Sequence, residues 1–80
     1  MAKVYSRELR DVPEELDRIF RKFPKRWVDA HQGIALVMEE FEELKTEVWK
    51  RAKKRRPARM RKEAIQVAAM AIRFALEVCE

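Results

Sequence analysis

Glu63-Ala64-Ile65-Gln66-Val67-Ala68-Ala69-Met70-Ala71-Ile72-Arg73-Phe74-Ala75-Leu76-Glu77-Val78-Cys79 is the stretch that decides the fold. Between Ala64 and Cys79 only Gln66, Arg73 and Glu77 interrupt an apolar run. A helix that is apolar almost all round is a buried one, and Ala68, Ala69, Ala71 and Ala75 let neighbours approach closely on several sides. The polar residues, with Glu63 one turn earlier, follow one another at steps of three, seven and four, so they lie on one line of the helix. A polar line on a buried helix must meet partners, because an unpaired buried carboxylate is costly or takes up a proton.

Upstream, Arg51-Ala52-Lys53-Lys54-Arg55-Arg56-Pro57-Ala58-Arg59-Met60-Arg61-Lys62 is about two-thirds basic, and Pro57 marks the turn into this third helix. Before it, Ile34, Val37, Phe41, Leu44 and Val48 recur every three or four residues, predicting a second helix that starts between Asp29 and Gly33 and runs to about Ala52. Asp11-Val12-Pro13-Glu14-Glu15 reads as the start of a first helix, with a capping residue, a proline whose missing N–H costs nothing there, and acids at the positive end of the dipole. Pro24 ends it. The expectation is an all-α protein, one domain over residues 1–80, with about three helices in an antiparallel bundle.

At 80 residues with a single cysteine, Cys79, the chain cannot staple itself with an intramolecular disulfide. Completion of the bundle is therefore expected from a metal, from homo-oligomerisation as a dimer or tetramer, or from both. No apolar run reaches the length needed to span a bilayer, and Met1-Ala2-Lys3-Val4-Tyr5 lacks a signal-peptide core, so the reading is cytoplasmic with no membrane partner. The net charge of +5 favours polyanionic partners. A glycine-rich phosphate loop, a Cys/His zinc spacing and a Ser/His/Asp triad are all missing from the sequence, which removes those enzyme classes.

The chemistry concentrates in Met38-Glu39-Glu40-Phe41-Glu42-Glu43-Leu44-Lys45-Thr46-Glu47. Glu40, Glu43 and Glu47 fall within roughly 60° of one another on a helical wheel. Clustered like charge destabilises a helix unless something positive sits beside it. That is either a solvated face balanced by Lys45, Lys50 and Arg51, or a cation site. Glu63 and Gln66 facing Glu40 and Glu43 across a helix pair would form an oxygen-rich site suited to a hard divalent cation.

The pattern Glu39-Glu40-x-x-Glu43, then Glu63-x-x-Gln66 about twenty residues on, followed by Val67-Ala68-Ala69-Met70-Ala71, resembles the EExxE…ExxD signature of the MazG-like all-α nucleoside triphosphate pyrophosphohydrolases. The resemblance spans His31 to Arg73. It implies Mg²⁺, with Mn²⁺ as a substitute, and hydrolysis of a nucleoside triphosphate to the monophosphate and pyrophosphate. Carried over by position, Glu40, Glu43 and Glu63 would be metal ligands, Gln66 a fourth, and Glu39 a further ligand or the base that orients water. Gln66 stands where the family has aspartate, so it offers a carbonyl oxygen without charge. Arg73, Lys50 and His31 are the candidate substrate contacts, Arg73 alternatively balancing Glu77 and His31 alternatively serving the helix start. Trp27 and Trp49 suit base stacking or, more commonly, packing. Two other functions compete: a basic helical nucleic-acid-binding module using residues 51–62, and a non-catalytic MazG-like protein.

Overall fold

The computed structural model describes residues 2–80, with side chains from Tyr5 onward. Three helices, α1 (Ala2–Lys22), α2 (Ala30–Val48) and α3 (Pro57–Val78), are joined by an irregular segment and by a connector holding one 3₁₀ turn, Ala52–Lys54. There is no strand among the described residues, and no helix is long and apolar enough to cross a membrane. Helix α3 packs against both others, whereas α1 and α2 make no close backbone approach to each other. The apolar helix is therefore the shared wall of the molecule.

The start of α1 departs from expectation. The helix begins at Ala2 and carries Pro13 in its interior, where a proline costs about 3 kcal/mol through a lost hydrogen bond and a crowded carbonyl. Contacts with α3 offset that cost. Asp11 does not cap; it pairs with Arg61 at 2.8 Å, and Glu8 reaches the same guanidinium at 3.4 Å. Val12 and Leu16 pack beside the buried core of Ile19, Trp27, Ala69 and Met70.

Helix α2 starts where the sequence places it. Asp29 accepts a hydrogen bond from the Gln32 N–H at 2.8 Å, and the Gln32 side chain accepts one from the Val28 N–H, a reciprocal cap. The helix stops at Val48, short of Ala52, because Arg55 Nε donates to the carbonyls of Val48 (2.6 Å) and Lys50 (3.1 Å) and so closes the terminus. The inward face is turned from the expected one. Val37 packs against the core as expected and Leu44 is half-buried, Leu36 joins them, and Ile34, Phe41 and Val48 are exposed, as is Met38. The reason is Gly33, the only glycine in the chain: a Cβ there would lie 2.8 Å from the Phe74 ring and 3.1 Å from Trp27. Only that face of α2 can approach α3 so closely.

One side chain organises the loop between α1 and α2. Arg73 is 1 % exposed. Its guanidinium donates to Glu77 at 2.9 and 3.2 Å and to the Lys25 carbonyl at 2.8 Å, and it lies 4.7 Å from the centre of the Phe20 ring and 4.9 Å from Trp27. Glu77 in turn accepts from the Trp27 N–H at 3.4 Å, and its carbonyl accepts from Arg26 at 3.0 Å. Burial pushes the Glu77 carboxyl upward in pKa, but the hydrogen bonds from Arg73 and Trp27 and the charges of Arg73 and Arg26 hold it below the usual range. Of the two roles open to Arg73, the structure gives it the balancing of Glu77 and leaves its guanidinium no exposed face for a phosphate.

Removing one member of a buried ion pair costs about 3–5 kcal/mol. Arg73→Ala is expected to lose at least that much in urea unfolding. Arg73→Lys should recover little of it, since an ammonium cannot form the fork to Glu77 or stack between two rings. A lysine variant as stable as the wild type would contradict the clamp.

Candidate metal centre

Glu40 and Glu43 come from the middle of α2, and Glu63 and Gln66 from the N-terminal half of α3. The packing that seats Phe74 on Gly33 aligns these two segments one against the other. One carboxylate oxygen from each of Glu40, Glu43 and Glu63 lies within 4.8 Å of the others. The three acids singled out from the sequence thus converge, from two helices, on one point.

Gln66 lies among them, with the end of its side-chain amide beside Glu63 and Glu40. Its amide satisfies its neighbours only when the NH₂ group donates to Glu63 at 2.8 Å and to Glu40 at 3.2 Å. In that orientation it bridges the two carboxylates as a donor. No salt-bridge cation is paired to Glu40, Glu43 or Glu63 among the described residues.

The electrostatic consequence is plain. Burial, then the charge and hydrogen bond of Glu43, then the charges of Glu63 and Glu15 push the Glu40 carboxyl up to about 7. Glu63 is also raised, by burial and by Glu43, with Lys62 opposing. Such a cluster is short of positive charge at neutral pH. Its donor set of closely spaced carboxylate oxygens fits a hard divalent cation.

Beside the acids a cleft of about 350 Å³ opens between α1, α2 and α3. Glu39, Glu40 and Gln66 line its polar wall, and Ile19, Phe23, Leu36 and Met70 its apolar wall. Glu15, Arg18 and Lys25 also line it. Sequence reasoning did not select these three, because nothing in the local pattern of α1 says that this face turns toward the glutamates of α2. Of the expected substrate contacts, Arg73 lines the cleft but is locked to Glu77. Lys50 pairs with Glu47 at the far end of α2, and His31 is exposed on the first turn of α2 and does not line the cleft. Trp27 is buried in the core, and Trp49 is 72 % exposed.

No family model, curated protein or solved structure matches this chain.

A carboxyl with a raised folded-state pKa stabilises the fold fully below its unfolded value, here 4.5, and loses that contribution as the pH rises through its folded value, here about 7. In EDTA, the melting temperature should therefore fall between pH 5 and pH 8. Glu40→Gln should flatten that fall; an unchanged pH profile in the variant would show that Glu40 does not carry the repulsion.

Proposed function

We propose that this chain is a divalent-metal-dependent nucleotide pyrophosphohydrolase of the MazG-like kind, working as a homo-oligomer. The observation that carries the reading is the convergence of Glu40, Glu43 and Glu63 to within 4.8 Å, in the same positions that the EExxE…ExxQ pattern marks.

Glu40, Glu43 and Glu63 would hold Mg²⁺ or Mn²⁺. When bound, such a cation neutralises phosphate charge and lowers the pKa of a coordinated water. Gln66 keeps Glu40 and Glu63 in register through its two N–H bonds, a positioning role rather than a ligand's. Glu39, exposed at the wall of the cleft, takes the proton as water adds to the α-phosphorus; the bond to the β-phosphate breaks and pyrophosphate leaves. Arg18 and Lys25 offer positive charge to the departing phosphates, in place of Arg73 and Lys50. Arg18 is held only by an exposed pair with Glu15, which exchanges readily for a phosphate oxygen. The apolar wall is suited to a base.

Surface accounting supports self-association. The accessible surface is 6302 Å², whereas a folded monomer of 9.6 kDa exposes about 5,100 Å². The radius of gyration of 13.8 Å likewise exceeds the roughly 11.6 Å of a compact domain of this length. The excess of about 1,200 Å² is of the size that one partner buries in a stable interface or somewhat larger. Ile34, Met38 and Phe41 on α2, with Ile72 and Leu76 on α3, are among the large apolar side chains left out of the core, and a second copy would cover them.

The decisive assay is pyrophosphate release across the common nucleoside triphosphates with Mg²⁺ or Mn²⁺. Release is expected from the wild type and should fall at least tenfold in Glu43→Ala. Metal at a hundredfold excess over Kd should stabilise the wild type by about 2.7 kcal/mol, roughly 10 °C or more in Tm for a domain this small, and should leave Glu43→Ala unmoved. Identical metal responses in the two proteins would reduce the cluster to a charged helix face tied by Gln66.

Sedimentation at micromolar concentration should give a dimer or larger species, and Phe41→Glu should shift it toward monomer. A well-folded wild-type monomer would remove self-association from the proposal.

A further inference from the structure

The residues between α2 and α3 form a second feature that the acidic cleft does not use. Residues 50–62 contain nine Lys or Arg and no acid, in a chain of net charge +5, so the remainder of the molecule is net −4. Three of these cations are engaged: Lys50 with Glu47, Arg55 with the end of α2, and Arg61 with Glu8 and Asp11. Lys62 adjoins Glu63 electrostatically. Arg51, Lys53, Lys54, Arg56 and Arg59 are exposed and take part in no side-chain hydrogen bond or ion pair among the described residues.

Trp49 stands at the head of this segment. It is the C-cap of α2 and is 72 % exposed, the second most exposed large apolar side chain after Val28. Arg55 binds the carbonyls of the residues on either side of it, which fixes the connector against the end of α2. Lys45 lies 4.6 Å from the centre of the ring and pairs with Glu42, so a cation holds one face of the indole while the side chain as a whole stays open to solvent. A tryptophan this exposed, with a lysine over one ring face, is left out of the core of the monomer.

We propose that Trp49 and the cations from Arg51 to Arg59 form a binding surface for single-stranded nucleic acid, in which an unpaired base stacks on the indole and the flanking phosphates meet the basic connector. Single-strand binders combine these two elements, a cationic track for the backbone and an aromatic platform for the base. A membrane surface fits less well. Apart from Trp49, the segment from Arg51 to Arg59 offers only Ala52, Pro57 and Ala58 as uncharged side chains, none large enough to insert. The surface is separate from Glu40, Glu43 and Glu63 and requires no metal.

The test uses the full chain in EDTA, so that loss of the proposed metal chemistry cannot affect it. The probes are fluorescein-labelled oligo(dT) and oligo(U) of roughly 20 nucleotides, the matching duplex, and vesicles of anionic phospholipid. Anisotropy should report binding to both single strands, weakening roughly 100-fold from about 50 to about 200 mM salt if five phosphates are neutralised. Stacking should quench the emission of Trp49, with buried Trp27 as the unresponsive background. Trp49→Ala should weaken binding by about tenfold, and Lys53→Ala with Lys54→Ala should lower the salt slope by about 1.4. Both substitutions are on exposed residues, and circular dichroism melts check that the fold is retained. Equal affinity for duplex and single strand with Trp49→Ala indifferent would overturn the proposal. So would a blue shift of Trp49 on vesicles without quenching by oligonucleotide, or no response to any probe.

Discussion

The rest of the structure depends on a buried guanidinium. Arg73 sits on the most apolar helix of the chain with 1 % of its surface exposed, and it is tolerated there because every direction offers compensation: a carboxylate from Glu77, a carbonyl from Lys25 and two aromatic faces from Phe20 and Trp27. Those partners lie on the end of α1, in the connecting segment and on α3 itself. Satisfying one buried charge thereby fixes the path of residues 23–29, and with it the point at which α2 begins. Trp27 then closes over Gly33, and Gly33 admits Phe74. The register of α2 on α3 follows from that close approach.

The same line of α3 carries the opposite situation toward its N-terminal half. Arg73 and Glu77 pair with each other, whereas Glu63 meets Glu40 and Glu43 with no ion-paired cation among the described residues and only the nearby charge of Lys62 opposing the rise of Glu63. One helix therefore presents a neutralised pair and an uncompensated acid cluster two turns apart. The pair serves the fold. The cluster strains it, which is why burial and like charge lift Glu40 to about 7, and why a cation is the natural complement. Proteins accept such local conflict where a site needs it.

The charges are also segregated along the molecule. Helix α2 carries five glutamates against one lysine, and the basic connector follows it with Trp49 at its head. Segregation of this kind lets one small chain hold a cation at one place and meet polyanions at another without mutual quenching, provided the two surfaces do not share residues. Lys62, adjoining Glu63, marks the boundary between them.

Local chemistry made much of this readable from the sequence. Periodicity of three and four residues placed α2 and α3, Asp29 and Pro57 marked their starts, Pro24 marked the end of α1, and helical spacing alone put Glu40, Glu43 and Glu63 where two helices could bring them together. These are properties of one helix or of its cap, set by residues within a turn or two of each other. What the sequence alone did not decide involves elements far apart in the chain. The extension of α1 through Pro13 rests on Asp11 and Glu8 meeting Arg61 some fifty residues later. Which face of α2 turns inward was decided by a missing Cβ at Gly33 against the Phe74 ring. The pairing of Arg73 with Glu77, the place of Arg18 and Lys25 on the wall of the cleft, and the approach of Gln66 to Glu40 depend on which elements share a wall. Periodicity specifies a face, but only packing supplies the neighbour against which that face is satisfied.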